Sequence, residues 1–341
     1  MTDRIVLPAE WHPQSAVQLT WPHAGTDWRP VLGEAVACFA AIAREVMKRA
    51  KVLIVCADAE EVHAQLGAFD GRRAIFREVR TDDTWARDHG GITRLRNGVP
   101  EVCDFVFNGW GAKFAAGYDN AVTEELFRTG TFAPGVKRCD MSPFVLEGGS
   151  IESDGEGTLL TTARCLLSPG RNPRLDRVQI EDALKAFSGA GRVLWLEHGG
   201  LEGDDTDGHV DTLARFCDAE TIAYVRCTDR TDAHFDGLRA MEDELRAFRT
   251  ADGRPYRLLP LPMAGPVFSG GERLPATYAN FLPVNGAVLM PCYGGAGDGE
   301  ARRVLQVAFP GREVVGIDCR VLIRQHGSLH CVTMQYPAGT V

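Results

Sequence analysis

Apolar positions recur along the chain with two alternating periods. Between Glu34 and Lys51, residues Val36, Phe39, Ala43, Val46 and Met47 fall on one helical face, and Val52–Cys56 follows as a short buried strand. Glu60–Leu66 reads as helix and Ala74–Val79 as strand. A charged loop, Thr81–Gly90, then leads to a hairpin of Ile92–Leu95 and Val102–Phe107 joined through Asn97-Gly98. The pattern returns with helix Asn120–Arg128, extended Val136–Cys139 and Phe144–Leu146, and a hairpin opened by Glu147-Gly148-Gly149 and turned at Asp154–Gly157. A third round has helix Asp176–Phe187, strand Arg192–Glu197, loop Gly199–Gly208, and hairpin Thr212–Cys217 with Thr221–Val225. A fourth has helix Ala233–Phe248, strand Tyr256–Leu261, and hairpin Tyr278–Pro283 with Ala287–Pro291 across Asn285-Gly286. The last has helix Glu300–Ala308, strand Glu313–Ile317 and extended Leu329–Gln335, beside which an N-terminal strand, Ala16–Trp21, is placed to pair.

Each round is a hairpin, a helix and a further strand, repeating at about 60 residues. The hairpins open at Asp88, Glu147, His209, Asn280 and Cys331, which stand 59, 62, 71 and 51 residues apart. Units related by rotation bring these positions to one axis. The pattern therefore predicts an α/β fold built as a closed pseudo-symmetric array, one domain over residues 1–341, with a shared central pocket.

Composition narrows the partners. The 37 basic and 46 acidic residues leave a net charge of −9 with no basic block, which excludes a phosphate-tracking nucleic-acid surface and suits a small cationic ligand. No apolar run nears the roughly 18 residues of a membrane helix, and Met1–Pro8 lacks a signal-peptide core. No membrane partner is expected, the location expected is cytoplasmic, and the chain is compatible with a homo-oligomer. Ten cysteines with no C-x-x-C pair read as reduced, buried small side chains unless a particular one is argued otherwise.

Two segments imitate chemistry. The run Gly294–Gly299 between a strand and a helix fails the dinucleotide fingerprint, because Glu300 stands where the third glycine belongs. The nine histidines show no H-E-x-x-H or paired Cys/His spacing, so no metal is expected, although Asp204, Asp205, Asp207, His209 and Asp211 are acidic enough to hold a cation. Four other segments carry candidate groups. His209 and Asp211, two apart at a loop–strand junction, share a face in a strand and suit proton transfer beside a bound cation. Trp85 could stack on a planar cation while Asp88 accepts its N–H groups. Glu147 follows an apolar run, where an acid is more than solvation. Cys331 follows Gly327 and opens an apolar strand, where a thiol can project into a pocket and act as a nucleophile beside a histidine. Taken singly, each has a plainer reading: an exposed acidic turn, a packed indole, a buried thiol.

Together these segments resemble the agmatine deiminase family, relatives of the bacterial peptidylarginine deiminases in the guanidine-modifying superfamily. The residues that carry the resemblance are Trp85–Asp88, Phe107–Gly111, Glu147–Ile151, Gly208–Phe216, Phe309–Arg312 and Leu329–Thr333, ordered over nearly the whole chain. The resemblance implies a five-bladed α/β propeller. It also implies Cys331 as nucleophile, His209 as general acid and base, Glu147 as its orienting carboxylate, and Asp88 and Asp211 as guanidinium ligands, with Trp85 against the substrate. It implies hydrolysis of agmatine to N-carbamoylputrescine and ammonia through a covalent thiouronium, with no cofactor. Alternatives are deimination of free or peptidyl arginine, amidino transfer, and a catalytically dead binding module. A carboxylate-bearing substrate would need a cationic partner, for which Arg94, Arg164 and Arg171 are candidates. Asp204, Asp205 and Asp207 are expected to meet the substrate's terminal amine, Asp205 first by its place in the family pattern. Gln325-His326-Gly327-Ser328 stands where the family commonly has Gly-Gly-Gly-Asn, and Thr206-Asp207-Gly208-His209 where it often has Thr-Asn-Gly-His.

Overall fold

In the computed structural model, which describes residues 3–341, the recurring pattern resolves into one small sheet per round. Ile92–Arg96 and Val99–Val106 pair antiparallel, and Lys137–Val145 joins the second of them in parallel. The same order holds for Ile151–Ser153, Thr158–Thr162 and Arg192–Leu196. It holds again for Ala214–Asp218, Thr221–Arg226 and Arg257–Pro262, and for Leu282–Val284, Ala287–Cys292 and Glu313–Asp318. In the remaining large sheet the antiparallel partners come from the two ends of the chain: Thr333–Pro337 pairs with Gln14–Thr20, and Lys51–Cys56 and Ala74–Glu78 follow in parallel.

An antiparallel neighbour needs only a tight turn, whereas a parallel one needs a crossover. Helices Leu32–Met47, Val122–Arg128, Arg177–Ser188, Phe235–Ala247 and Gly297–Ala308 each supply it, between the second and third strands of a unit. Leu32–Met47 buries Phe39, Ala43, Val46 and Met47 of the predicted stripe, leaves Val36 half-buried, and buries Ala35 and Ile42 as well. Arg177–Ser188 starts at a capping box between Asp176 and Gln179 and stops at Gly189, whose φ of 74° is left-handed. The result is an α/β fold of several separate small sheets, none of which closes on itself.

The structure corrects the expected extent of four segments. Tyr278–Phe281 is not strand, because the carbonyls of Ala279 and Phe281 accept from the Arg215 guanidinium instead of a neighbouring strand. Leu329–Val332 is a turn, so Cys331 precedes its strand instead of opening it. His209 caps a 3-10 turn, Val210–Thr212, and Asp211 lies within it, so the two do not share a strand face. Val136–Cys139 and Phe144–Leu146 are one strand, Lys137–Val145.

Candidate active site

The five hairpin-opening positions do meet. Asp88 stands on the short helix Ala86–His89, Glu147 just before the turn Gly148–Ser150, His209 just before Val210–Thr212, and Asn280 and Cys331 in irregular backbone. His209 Nδ1 is 3.6 Å from Asp88 Oδ1 and its Nε2 is 3.9 Å from Glu147 Oε2. The Cys331 thiol lies 3.4 Å from Asn280 Oδ1 and 4.0 Å from Asp211 Oδ2. Gly149 permits this convergence: a Cβ there would come within 2.6 Å of His209 Nδ1, 2.9 Å of Asp88 Oδ1 and 3.0 Å of Asp211 Oδ2. Its N–H donates to Asp88 Oδ1 at 3.0 Å, and the Trp110 indole donates to Asp88 Oδ2 at 3.0 Å, so that carboxylate is fixed at both oxygens.

Four buried polar groups here lack hydrogen-bond partners: both ring nitrogens of His209, Asp211 Oδ1 and Asn280 Nδ2. Buried polar groups are ordinarily satisfied, and an unmade bond costs roughly 1–3 kcal/mol. Their gathering beside Asp88, Asp211 and Cys331 marks the place where a polar ligand completes the network.

The electrostatics fit a cation. Burial, reinforced by Asp211 and Glu147, pushes the Asp88 carboxyl up to about 6, with His209 opposing. Burial works against charge on His209, yet Asp88, Cys165 and Glu147 together hold its pKa well above the ordinary imidazole value. Burial also raises the Cys331 thiol well above its usual value, and the negative charges of Asp211 and Asp88 add to that. Glu147 and Asp211 stay ionised despite burial, Glu147 through His209 and Arg171, Asp211 mainly through His330. A cation placed between Asp88 and Asp211 would cancel two of the three causes that keep the thiol protonated.

A cavity of about 390 Å³ leads to Cys331 and Asp88. Trp85 forms part of its wall, and Gly327 lets the loop lie against that indole, since a Cβ there would overlap the ring at 2.0 Å. Trp28 backs Trp85 at 5.8 Å between ring centres. Of the three loop acids, Asp205 lines the cavity, together with Asp27 and Asp83. Asp204 is turned into its own loop, accepting from Thr206 N and Oγ1 and from Gly208 N. Asp207 accepts from Lys113 at 2.8 Å and Arg171 at 2.7 Å, so neither Asp204 nor Asp207 faces the cavity.

Arg94, Arg164 and Arg171 do not line the cavity; Arg324 does. Arg171 is spent on Glu147, and Arg94 on Glu101 and the Phe187 carbonyl. Sequence reasoning also missed Trp110, Asp83 and Cys165. Trp110 sits inside the quoted Phe107–Gly111 motif, and Asn280 had been marked by the repeat without a role.

Among the described residues, two donor sets have metal-like spacing, Glu147, Cys165 and His209, and Glu10, Glu152 and His330. Each already has an arginine on its carboxylates, Arg171 in the first and Arg215 in the second, so a metal ion would meet a fixed positive charge.

Residues 6–337 match the family described as Porphyromonas-type peptidyl-arginine deiminase. The agmatine deiminase of Stutzerimonas stutzeri is 35% identical over 366 residues, covering 99% of this chain and 97% of that one. The solved structure of a candidate arginine deiminase from Porphyromonas gingivalis is 54% identical, with a TM-score of 0.96 and 99% of each chain covered. A cysteine-to-serine form of C. jejuni agmatine deiminase, solved with substrate bound, is 38% identical with a TM-score of 0.91, covering 98% of this chain and 97% of that one.

Proposed function

Since the chain belongs to the Porphyromonas-type peptidyl-arginine deiminase family, we propose that it hydrolyses agmatine to N-carbamoylputrescine and ammonia. The observation that carries this reading is the set of unpartnered buried groups beside Cys331, Asp88 and Asp211 at the end of a pocket. That arrangement suits a flat, polar cation.

Asp88 and Asp211 hold the guanidinium planar against Trp85, with the central carbon facing Cys331. The guanidinium charge relieves the field of the two carboxylates at the thiol, so the sulfur releases its proton to solvent as the complex forms, and the thiolate attacks the carbon. Protonated His209, oriented by Glu147, gives its proton to the departing nitrogen, and ammonia leaves. The remaining thiouronium is attacked by water, from which His209 takes a proton. The sulfur departs with the ureido product formed. These steps use side chains alone; no metal or organic cofactor has a task in them. Asp205 meets the terminal amine, with Asp27 and Asp83 adding negative charge on the same wall.

The five sheets of like strand order support the view that they are blades of one five-bladed propeller in a single domain, which is why one residue from each unit reaches the site. A second reading, deimination of arginine itself, is favoured by Arg324 on the cavity wall, where an α-carboxylate would find a partner. Ammonia release from agmatine, arginine and a peptidyl-arginine at matched concentration decides between them. The highest kcat/KM is expected with agmatine. A tenfold preference for arginine would favour the second reading, and no ammonia from any of them would refute both.

A further inference from the structure

We propose that His330 is a positioning residue that presents the Asp211 carboxylate to the substrate guanidinium, held in turn by a buried cluster of Glu10, Arg87, Glu152 and Arg215. The inference rests on the guanidinium reading of the site. His330 Nδ1 is 2.7 Å from Asp211 Oδ2. A carboxylate can only accept, so Nδ1 carries a proton and donates it. That bond fixes Oδ2 and leaves Oδ1, buried and unpartnered, for a ligand.

The far side of the ring is equally committed. Nε2 faces Glu10 Oε1 at 2.7 Å and Arg215 Nη2 at 3.0 Å. Arg215 also binds Glu10 Oε2 at 2.5 Å, Glu152, and the carbonyls of Ala279 and Phe281. Arg87 reaches Glu10 Oε1 at 3.0 Å. The His330 backbone N–H donates to Asn280 Oδ1 at 2.9 Å, the same atom that the Cys331 thiol approaches.

These residues stand near the reacting ones in sequence. Arg87 precedes Asp88, His330 precedes Cys331, and Arg215 and Glu152 follow Asp211 and Glu147 within the same hairpins. The segments that supply the site thus supply a second layer behind it, in which buried charges of both signs are paired. Burial and the two arginines hold the His330 imidazole below its ordinary pKa. Asp211 and Glu10 oppose that shift, and in either charge state the Nδ1 proton goes to Asp211 Oδ2 and leaves Oδ1 for the substrate.

The test uses the full-length Cys331→Ser protein, which binds without turnover, and calorimetric titration with agmatine. His330→Ala should raise Kd about 10-fold or more, a lost hydrogen bond to a charged group. His330→Asn puts an amide N–H at the place of Nδ1 and should stay within about 3-fold of the parent. On an Asp211→Asn background, His330→Ala should add less than about 2-fold, because its route of action is already gone. A loss that multiplies with Asp211→Asn, or equal losses in the Ala and Asn variants, would overturn the assignment. If His330→Ala does not fold, His330→Gln replaces it. Its amide sits at the place of Nε2 and should bind at least about 10-fold more weakly than His330→Asn; equal affinity would count against the proposal. Failure of the functional reading is separately visible. Cys331→Ser with native His330 would then not bind agmatine, and this inference would fall with it.

Discussion

The Arg171 Nε lies 3.0 and 2.8 Å from the two carboxylate oxygens of Glu147, and solvent reaches neither side chain. The same guanidinium bonds Asp207 and the Thr206 carbonyl, so it ties the orienting acid of His209 to the loop that ends at His209. Removing one member of a buried pair strands the other's charge. Arg171→Met should cost about 3–5 kcal/mol of unfolding free energy. Urea unfolding measures it, and a change below about 1 kcal/mol would mean that Glu147 finds compensation elsewhere.

Cys331→Ser should abolish turnover with the fold intact, since serine matches the thiol in size but does not ionise as a thiol can. The loss expected in kcat is at least about 100-fold, or 2.7 kcal/mol of barrier. A purified variant that kept more activity than this would exclude covalent catalysis by Cys331.

The pH profile has a definite sign on each side. Asp88, pushed up to about 6 in the free protein, takes up a proton as pH falls through that value and loses its hold on the guanidinium. The kcat/KM for agmatine should therefore decline below about pH 6. A bound guanidinium favours ionised Asp88, so the acid limb of kcat should lie at lower pH than that of kcat/KM. His209, held well above the usual imidazole range, remains protonated through neutrality, and activity should fall only when alkali removes that proton. Coincident acid limbs in kcat and kcat/KM would contradict the role given to Asp88.

Asp205 is the loop acid that faces the cavity. Asp205→Asn should raise KM for agmatine about 10-fold and change kcat less, the signature of binding energy common to ground and transition states. Asp207→Asn should act differently. It loosens Arg171 and so reduces kcat more than it raises KM. The same split in both variants would show that the loop acts as one unit and that Asp205 has no separate contact with the amine.

Much of this site was legible in the sequence because the repeat counts residues in the way the fold does. Asp88, Glu147, His209, Asn280 and Cys331 were marked as hairpin openings, and hairpin boundaries follow from alternation and turn residues that act locally. The shared face expected of His209 and Asp211 rests on a reason that does not hold: His209 caps a 3-10 turn and Asp211 lies in it, where a strand was expected. What stayed hidden depends on contacts across the chain. Nothing near Arg171 indicates that it lies on Glu147, and nothing near Tyr278–Phe281 indicates that Arg215 takes its carbonyls. Asp204, Asp205 and Asp207 look alike in sequence. Their division into a loop brace, a cavity acid and an arginine partner is set by which N–H groups surround each one.

The pairing of Gln14–Thr20 with Thr333–Pro337 sets a timetable for synthesis. Leu19 lies opposite Thr333, so a strand waits for a partner that leaves the ribosome far later. Contacts so distant in sequence form slowly. Until then, one edge of the sheet that contains Gln14–Thr20 stays open to other chains. Cys331 stands two residues ahead of that closing strand. An unfinished chain can therefore carry Asp88, Glu147 and His209 without a nucleophile between them, and the thiol enters its pocket only as the ring of contacts between the two ends is made.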